Sequence, residues 1–527
     1  VTATGAPSTS SDTTDTTAGT RPWWRDAVVY QIYPRSFADA NGDGVGDLRG
    51  IVERLDHLER LGVDAVWLSP IFRSPMRDFG YDVSDYCAID PLFGTDEDFD
   101  ALVDGLHRRG MRLLLDWVPN HTSDQHPWFA ESRASRTSAK RDWYLWRDGR
   151  EDGSPPNNWR AVFKGAPAWT FDEATGQYWF HFFLPEQPDL NWANPEVEAA
   201  MHDTLRYWLD RGVDGFRADV VHLIGKGTEL PDLPPEQARA AMILVDEPFT
   251  HELLRRIRTL LDAYRHQPMM VGEVYLLGEG QAATYLGDDD ELHLTFDFRA
   301  VHTPWEPGPM RAAIEAAQRE FADPRWPTWV LSNHDQPRQR TRIGREAGAR
   351  AAAVLSTTMR ATPYLYAGEE LGLENAEVPE ELRTDPDGRD GCRAPIPWTR
   401  DDGHGWGPSP WLPFPPDPAG RSAEAQDGDP ASMLELYRAL LRLRRERPAL
   451  RAGSLTLLDA DPRLVAYERR AGDDRVVVVV NLTEEVVPLG AELLGRATRL
   501  VRSSDPGRHD GPVPEQLFGD EAVILDA

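Results

Sequence analysis

The chain has 527 residues, enough to bury a full barrel core and still carry one or two further domains. Its formal charge of -30 excludes the Lys/Arg-rich surfaces that bind nucleic acid or anionic membranes, and it favours a neutral ligand. No apolar run reaches the ~18 residues of a membrane span, and two cysteines, Cys87 and Cys392, are too few for a disulfide framework, so a reducing cytoplasm is expected.

Residues 1–20 are mostly Ser, Thr, Ala, Asp and Gly and lack the apolar core of a secretion signal, which reads as a disordered tail. From Arg21 onward, strand-like and helix-like segments alternate. Eight strand candidates fall at 28–33, 65–68, 112–117, 215–218, 270–273, 294–298, 329–332 and 364–367. Leu48, Ile51, Leu55, Leu58 and Leu61 mark one apolar helical face between the first two. Eight strands, each followed by a helix, predict a closed (β/α)8 barrel over residues 21–118 and 191–447.

Two long connections interrupt the pattern. Residues 119–190, rich in Trp, Pro and Gly, are too many for a plain loop and are expected to form a small inserted domain. A Pro/Gly-rich insertion spans about 371–430. After a helix near 433–447 the pattern turns to alternating strands, predicting an antiparallel β-sandwich over 448–527.

Asp39-Ala40-Asn41-Gly42-Asp43-Gly44-Val45-Gly46-Asp47, after the first strand, sets oxygen ligands at alternate positions with glycines that permit a tight wrap. That suits a hard cation, Ca²⁺ or Mg²⁺, held by Asp39, Asn41, Asp43, Asp47 and the carbonyl of Val45. Gly50 stands where an EF-hand has its Glu, so the loop is not an EF-hand. Further along, Asp219, Glu273 and Asp335 each close a short apolar run, which puts them at the carboxyl ends of parallel strands, where such barrels build their sites. Two close carboxylates are the minimum for cleaving a glycosidic bond. The 18 Trp residues read mainly as packing, and so do Cys87 and Cys392, expected in loops near the site.

Four motifs carry a resemblance: Asp116-Trp117-Val118-Pro119-Asn120-His121, Gly215-Phe216-Arg217-Ala218-Asp219, Gly272-Glu273-Val274 and Asn333-His334-Asp335. In this order the chain resembles glycoside hydrolase family 13, the α-amylase family. Gln187-Pro188-Asp189-Leu190-Asn191 resembles the signature of its oligo-1,6-glucosidase and α-glucosidase branch. The resemblance implies Asp219 as nucleophile with Arg217 keeping it ionised, Glu273 as acid/base, and Asp335 on the sugar 2- and 3-hydroxyls. His121 and His334 would donate around the same ring. Asp78 and Tyr81 would hold and stack the non-reducing glucose, and Arg389, or Arg393 at equivalent spacing, would pair with Asp78 and close the pocket. A structural metal in the loop after strand one is also implied.

The expected activity is that of a retaining exo-α-glucosidase on small sugars, with transglucosylation as a companion activity, in a monomer or homodimer. An α-glucosyl isomerase or transferase, of the trehalose synthase or sucrose isomerase type, uses the same chemistry with a sugar as acceptor. A non-catalytic barrel subunit is the third reading, disfavoured by the three retained acids. Val220 accompanies α-1,6 preference in this branch, whereas Ala218 and His222 depart from the branch pattern, so linkage stays open.

Overall fold

The computed structural model describes residues 21–527, apart from 228, 245 and 277; the expected tail at 1–20 lies outside the described residues. Eight strands form one parallel sheet: β1 Val29–Ile32, β2 Ala65–Leu68, β3 Arg112–Trp117, β4 Gly215–Ala218, β5 Met269–Gly272, β6 Leu294–Thr295, β7 Thr328–Val330 and β8 Thr362–Tyr366. They run in the order β6-β5-β4-β3-β2-β1-β8-β7 and nearly close a barrel. The seam between β6 and β7 is bridged by a side chain. Thr328 Oγ1 donates to the Thr295 carbonyl at 3.0 Å and accepts the Asp297 N–H at 2.9 Å.

Every residue of β1 and β2 is buried, because one face lines the barrel and the other meets the helices. Val29, Ala65, Trp67, Leu114, Met269, Val271, Leu294, Val330 and Tyr364 fill the interior. Their neighbours Tyr30, Val66, Leu68, Leu113, Leu115 and Met270 pack outward in the larger core. This two-residue period explains why the strands read as short continuous apolar runs. The first helical stretch is two helices, Leu48–Glu53 and Leu55–Leu61, broken at Arg54, and all five predicted face residues are buried. β2, β3 and β4 match expectation at both ends, and the ends of the other five differ by up to three residues. Most notably, β7 stops at Val330, so Asp335 lies in the loop before the next helix and not at a strand end.

Between β3 and β4 lies a helix, Pro127–Ala134, and a three-stranded antiparallel sheet of Trp146–Arg147, Gln177–Phe180 and Trp169–Asp172. Its aromatic side chains share a core with the chain after β4. Leu145, Trp159, Trp169, Tyr178, Phe180 and Phe182 pack with Val220, Leu223, Leu230 and Ala241. Trp159 Nε1 donates to the Pro231 carbonyl at 2.8 Å and Asn157 Nδ2 to that of Leu230 at 3.0 Å. The post-β4 excursion carries no strong sequence period, and it stands only because the aromatic sheet covers it.

The C-terminal part is a five-stranded antiparallel sheet with a two-stranded layer, Val487–Pro488 and Gln516–Leu517. Along Asp474–Asn481, Val476, Val478 and Val480 join the barrel core, while Val477 and Val479 face the second layer. No helix among the described residues is long and apolar enough to cross a membrane. Cys87 sits in the strand Asp85–Ile89, not in a loop, and both cysteines are free thiols.

Candidate active site

β3 and β4 pair in a register that sets Asp116 beside Arg217. Arg217, 1% exposed, is the hub of the site. Its Nη1 donates to Asp116 Oδ1 at 2.8 Å and to Asp219 Oδ1 at 2.6 Å, and its Nη2 donates to Glu273 Oε2. One guanidinium thus holds Asp219 and Glu273 on adjacent nitrogens. The ladder continues one residue past each strand: the Asp219 N–H donates to the Trp117 carbonyl at 2.8 Å and the Glu273 N–H to that of Ala218 at 2.9 Å. Both acids therefore leave the barrel at the same level. Directly after Asp219 the chain turns through Val220 at φ 34°, a left-handed conformation costly for a β-branched residue, and its N–H lies 3.3 Å from Glu273 Oε2.

Three carboxylates around one cation cannot all ionise freely. Burial pushes the Asp219 carboxyl up; Arg217 opposes this, and Glu273 and Asp116 add to it. Burial likewise pushes Asp116 up to about 6 against the pull of Arg217. Asp116 also accepts from Trp67 Nε1 at 3.1 Å and from the Tyr81 hydroxyl at 3.0 Å, and it does not line the cavity.

Asp335 faces a different field. Burial pushes its carboxyl up, but His334, Arg389 and Arg393 together hold it well below the usual carboxylate range. Arg389 Nη1 donates to its Oδ1 at 2.8 Å and Arg393 Nη2 to the same oxygen at 3.0 Å. The two arginines part company after that. Both also bind Asp385, but Arg389 Nη2 reaches Asp78 Oδ1 at 2.7 Å, whereas Arg393, fully buried, turns to the His334 carbonyl at 2.8 Å. Arg389 lines the cavity and Arg393 stands behind it. Phe163, from the inserted segment, covers Arg389 with its ring centroid 5.2 Å from the guanidinium.

Tyr81 stacks on His334 with centroids 5.4 Å apart and planes 7° from parallel. His334 Nδ1 faces Gln31 Nε2 at 2.7 Å, and its Nε2 faces the Tyr81 hydroxyl at 2.5 Å and Asp335 Oδ2 at 3.1 Å. His121 meets the Tyr81 carbonyl at 3.2 Å. Burial lowers both imidazoles to about 3, so both are neutral hydrogen-bonding groups at ordinary pH.

A cavity of about 220 Å³ opens here; Arg217 and His334, both expected at the sugar, are buried behind its lining, and both His334 nitrogens are engaged by protein groups. Asp78, Tyr81, His121, Asp219, Glu273, Asp335 and Arg389 line the cavity, with Val162, Phe163, Phe183, Val220, Met242, Tyr275 and Phe298 as an apolar wall. Several of these escape a sequence reading. Asp116 and Asp385 are anchors for arginines, and Gln187, which donates to Asp78 at 3.0 Å, sits in the branch signature without an evident role. The apolar wall comes mostly from the inserted segment and the post-β4 excursion, where no spacing marks a pocket, with Tyr275 after β5 and Phe298 after β6 completing it. Cys392 donates its thiol to the His334 and Arg389 carbonyls, a packing role behind the arginines.

Asp39, Asn41, Asp43, Val45 and Asp47 lie in the loop after β1 and none lines the cavity. Asp39 accepts the N–H groups of Gly42 and Gly44, Asn41 that of Asp43, Asp43 that of Val45, and Asp47 caps the helix at Gly50. The donors are all oxygen, which suits a hard cation; Asp39 Oδ2 and Asp47 Oδ2 each accept two N–H groups, while oxygens that accept one, such as Asn41 Oδ1 and Asp43 Oδ1, keep a second lone pair. As the side chains stand, no group of three or more His, Cys, Asp or Glu among the described residues converges as metal ligands do.

A profile of the family described as "Alpha amylase, catalytic domain" matches residues 31–453. The chain is 42% identical over 504 residues to a probable α-glucosidase of Rhizobium meliloti (strain 1021), covering 88% of this chain and 90% of the relative. It is 38% identical over 516 residues to an oligo-1,6-glucosidase of Parageobacillus thermoglucosidasius, covering 88% and 91%. Among solved structures, the α-glucosyl transfer enzyme XgtA superposes with a TM-score of 0.88 at 38% identity, covering 96% of this chain and all of the other. The trehalulose synthase MutB from Pseudomonas mesoacidophila MX-45 gives 0.89 at 34% identity, covering 96% and 99%. With the profile spanning most of the chain and relatives matching nearly end to end, this protein is a member of the α-amylase family.

Proposed function

We propose that this chain is a retaining exo-α-glucosidase that removes terminal α-linked glucose from disaccharides and short oligosaccharides. The observation that carries the reading is the single guanidinium of Arg217 holding both Asp219 and Glu273. Carboxylates drawn to adjacent nitrogens of one guanidinium suit the close spacing of retaining enzymes, about 5–5.5 Å, better than the roughly 6.5–9.5 Å that admits a water between them. Asp219 attacks the anomeric carbon. Glu273 protonates the departing oxygen and then takes a proton from the incoming water. To act as acid, Glu273 leaves Arg217 when sugar enters, which frees the guanidinium to neutralise Asp219. Asp335, held ionised by its two arginines, accepts from the sugar hydroxyls, and its charge favours the oxocarbenium-like transition state.

Exo action follows from the Asp78–Arg389 pair across the cavity, which leaves room for one sugar behind the point of cleavage. The relatives named α-glucosidase and oligo-1,6-glucosidase support this reading. The named transfer enzyme and trehalulose synthase keep the isomerase or transferase reading in view, because an apolar wall sheltering the glycosyl-enzyme from water favours a sugar acceptor. A panel of maltose, isomaltose, sucrose and trehalose, with products identified, tests both. Glucose released from maltose or isomaltose, first as the α-anomer by NMR, is the expected result; a rearranged disaccharide as main product replaces hydrolysis with isomerisation, and initial β-glucose overturns retention. We also propose that the Asp39–Asp47 loop takes a structural Ca²⁺ or Mg²⁺ through Asp39, Asn41, Asp43, Asp47 and the Val45 carbonyl; bound there, it would stiffen the loop. The two free thiols suit a cytoplasmic enzyme.

A further inference from the structure

Lys226 is seven residues beyond Asp219 on the post-β4 excursion and only 4% of its side chain is exposed. A buried ammonium needs reasons to be there. Its Nζ meets Asp189 Oδ2 at 3.1 Å, Asn120 Oδ1 at 2.7 Å and the Leu223 carbonyl at 2.8 Å. Three donors are matched by three oxygens. Asp189, fully buried, also accepts the Phe182 N–H at 3.0 Å, so the lysine ties the inserted segment to the post-β4 excursion.

The consequence lies one residue further on. An ammonium only donates, so Asn120 must turn its oxygen to Lys226 and its amide nitrogen away. That nitrogen lies 3.0 Å from His121 Nδ1. An amide N–H₂ also only donates, so Nδ1 must be the unprotonated nitrogen of the ring. The single proton of the neutral imidazole is then on Nε2, where the Tyr81 carbonyl accepts it at 3.2 Å. The other end of the ring pulls the opposite way. Gln187 Nε2 is 3.1 Å from the same His121 nitrogen, and its amide is oriented by the Leu184 N–H at its oxygen and by Asp78 at its nitrogen. The Asp189 carboxylate also accepts from the Asn120 amide and supports the same orientation. Removing the lysine weakens that hold, so that Asn120 can flip and His121 can accept from Gln187 while carrying its proton on Nδ1; Lys226 and Asp189 together favour the tautomer with the proton on Nε2.

The geometry points to Lys226 and Asn120 as a positioning relay that fixes the tautomer of His121 and so keeps an N–H donor at Nε2, held by the Tyr81 carbonyl until a sugar oxygen competes for it. The inference rests on the reading of His121 as a sugar-binding residue. Neither Lys226 nor Asn120 lines the cavity; both act through the imidazole.

The test is two-bond ¹H–¹⁵N correlation NMR of histidine-labelled protein, with His121→Gln assigning the resonance. Wild type should show a protonated Nε2 and an unprotonated Nδ1. Asn120→Asp keeps volume and gives Lys226 a carboxylate, but it offers Nδ1 only acceptors. It should therefore put a proton on Nδ1 and lower kcat/KM on the disaccharide the enzyme turns over by roughly ten- to a hundredfold, at an unchanged melting temperature. Lys226→Met should release the wild-type tautomer and reduce kcat/KM in the same direction. If Asn120→Asp leaves Nδ1 unprotonated, the relay is overturned whatever happens to activity. If the proton moves and kcat/KM stays at the wild-type value, His121 does not donate to the sugar, and the relay falls as a device for this reaction together with that reading.

Discussion

The Arg389 guanidinium donates to Asp78 Oδ1 at 2.7 Å, joining loops 311 residues apart in the chain. Both side chains are nearly buried, 11% and 5% exposed, so the pair acts in a weakly screened setting. It lies at the cavity beneath Phe163 of the apolar wall, and on the proposed reading it sets how much sugar the site accepts.

Asp78→Ala should lower kcat/KM on disaccharides by about 2–4 kcal/mol in transition-state binding. The loss stays below that of an isolated buried pair because Asp335 and Asp385 still hold Arg389. Wild type should release single glucose units and act poorly on starch. Iodine staining followed alongside free glucose checks this, since rapid loss of stain with little glucose would mean an open cleft.

Asp219→Ala should reduce turnover by about 10⁴-fold or more, because no other group in the cavity supplies the nucleophile. Glu273→Ala should keep its nucleophile and lose its acid. With an activated aryl glucoside, whose leaving group needs no proton, azide should restore turnover in Glu273→Ala. Absence of any azide response would remove Glu273 from the acid/base role.

Stability should fall on acidification. Burial lowers His121, His293 and His334 to about 3 and His126, His181 and His222 to about 4. Between those values and about 6.5 the unfolded chain binds protons that the native chain refuses, so acid favours unfolding. Asp82 and Asp116, pushed up to about 6, and Glu369, to about 7, have the opposite sign, because the native state holds their protons as pH falls. Asp219, likewise pushed up by burial, joins these carboxyls, and the six histidines outweigh the four. The melting temperature should drop steadily from about pH 6.5 to about pH 4, and a Tm rising on acidification across that window would contradict the burial of these imidazoles.

Chelation should lower the melting temperature before it alters kcat at low temperature, since none of the loop residues lines the cavity. Added Ca²⁺ or Mg²⁺ should restore it, and Asp43→Ala should abolish the response. An identical melting temperature for Asp43→Ala and wild type, in EDTA and in excess metal alike, would withdraw the metal.

Thr328→Val tests the barrel seam. It deletes the hydroxyl that joins the Thr295 carbonyl to the Asp297 N–H, leaving both buried groups unpaired. A loss of about 1–3 kcal/mol is expected for each group left unsatisfied, read from urea denaturation at an unchanged m-value. A change below about 0.5 kcal/mol would mean that backbone pairing closes the seam unaided.

Much of this protein is legible in one dimension. Barrel strands buried on both faces produce short apolar runs, and parallel strands present their carboxyl ends together, so Asp219 and Glu273 could be named from where those runs stop; Asp335 lies in the loop beyond its strand and is marked by its motif, Asn333-His334-Asp335. What sequence alone leaves open are relations between segments. The β3–β4 register puts Asp116 against Arg217, the insertion after β8 brings Arg389 rather than Arg393 to Asp78, and the inserted sheet lays Phe163 over that arginine. Lys226 reads as a surface charge until Asp189 and Asn120 close around it. Hydrophobic period and local turn chemistry are encoded in neighbouring residues, and those determine the strands, the helices and the places where acids can stand. Register, charge pairing and the walls of the cavity depend on groups hundreds of residues apart, and only burial in the finished fold makes their interactions strong enough to select one arrangement.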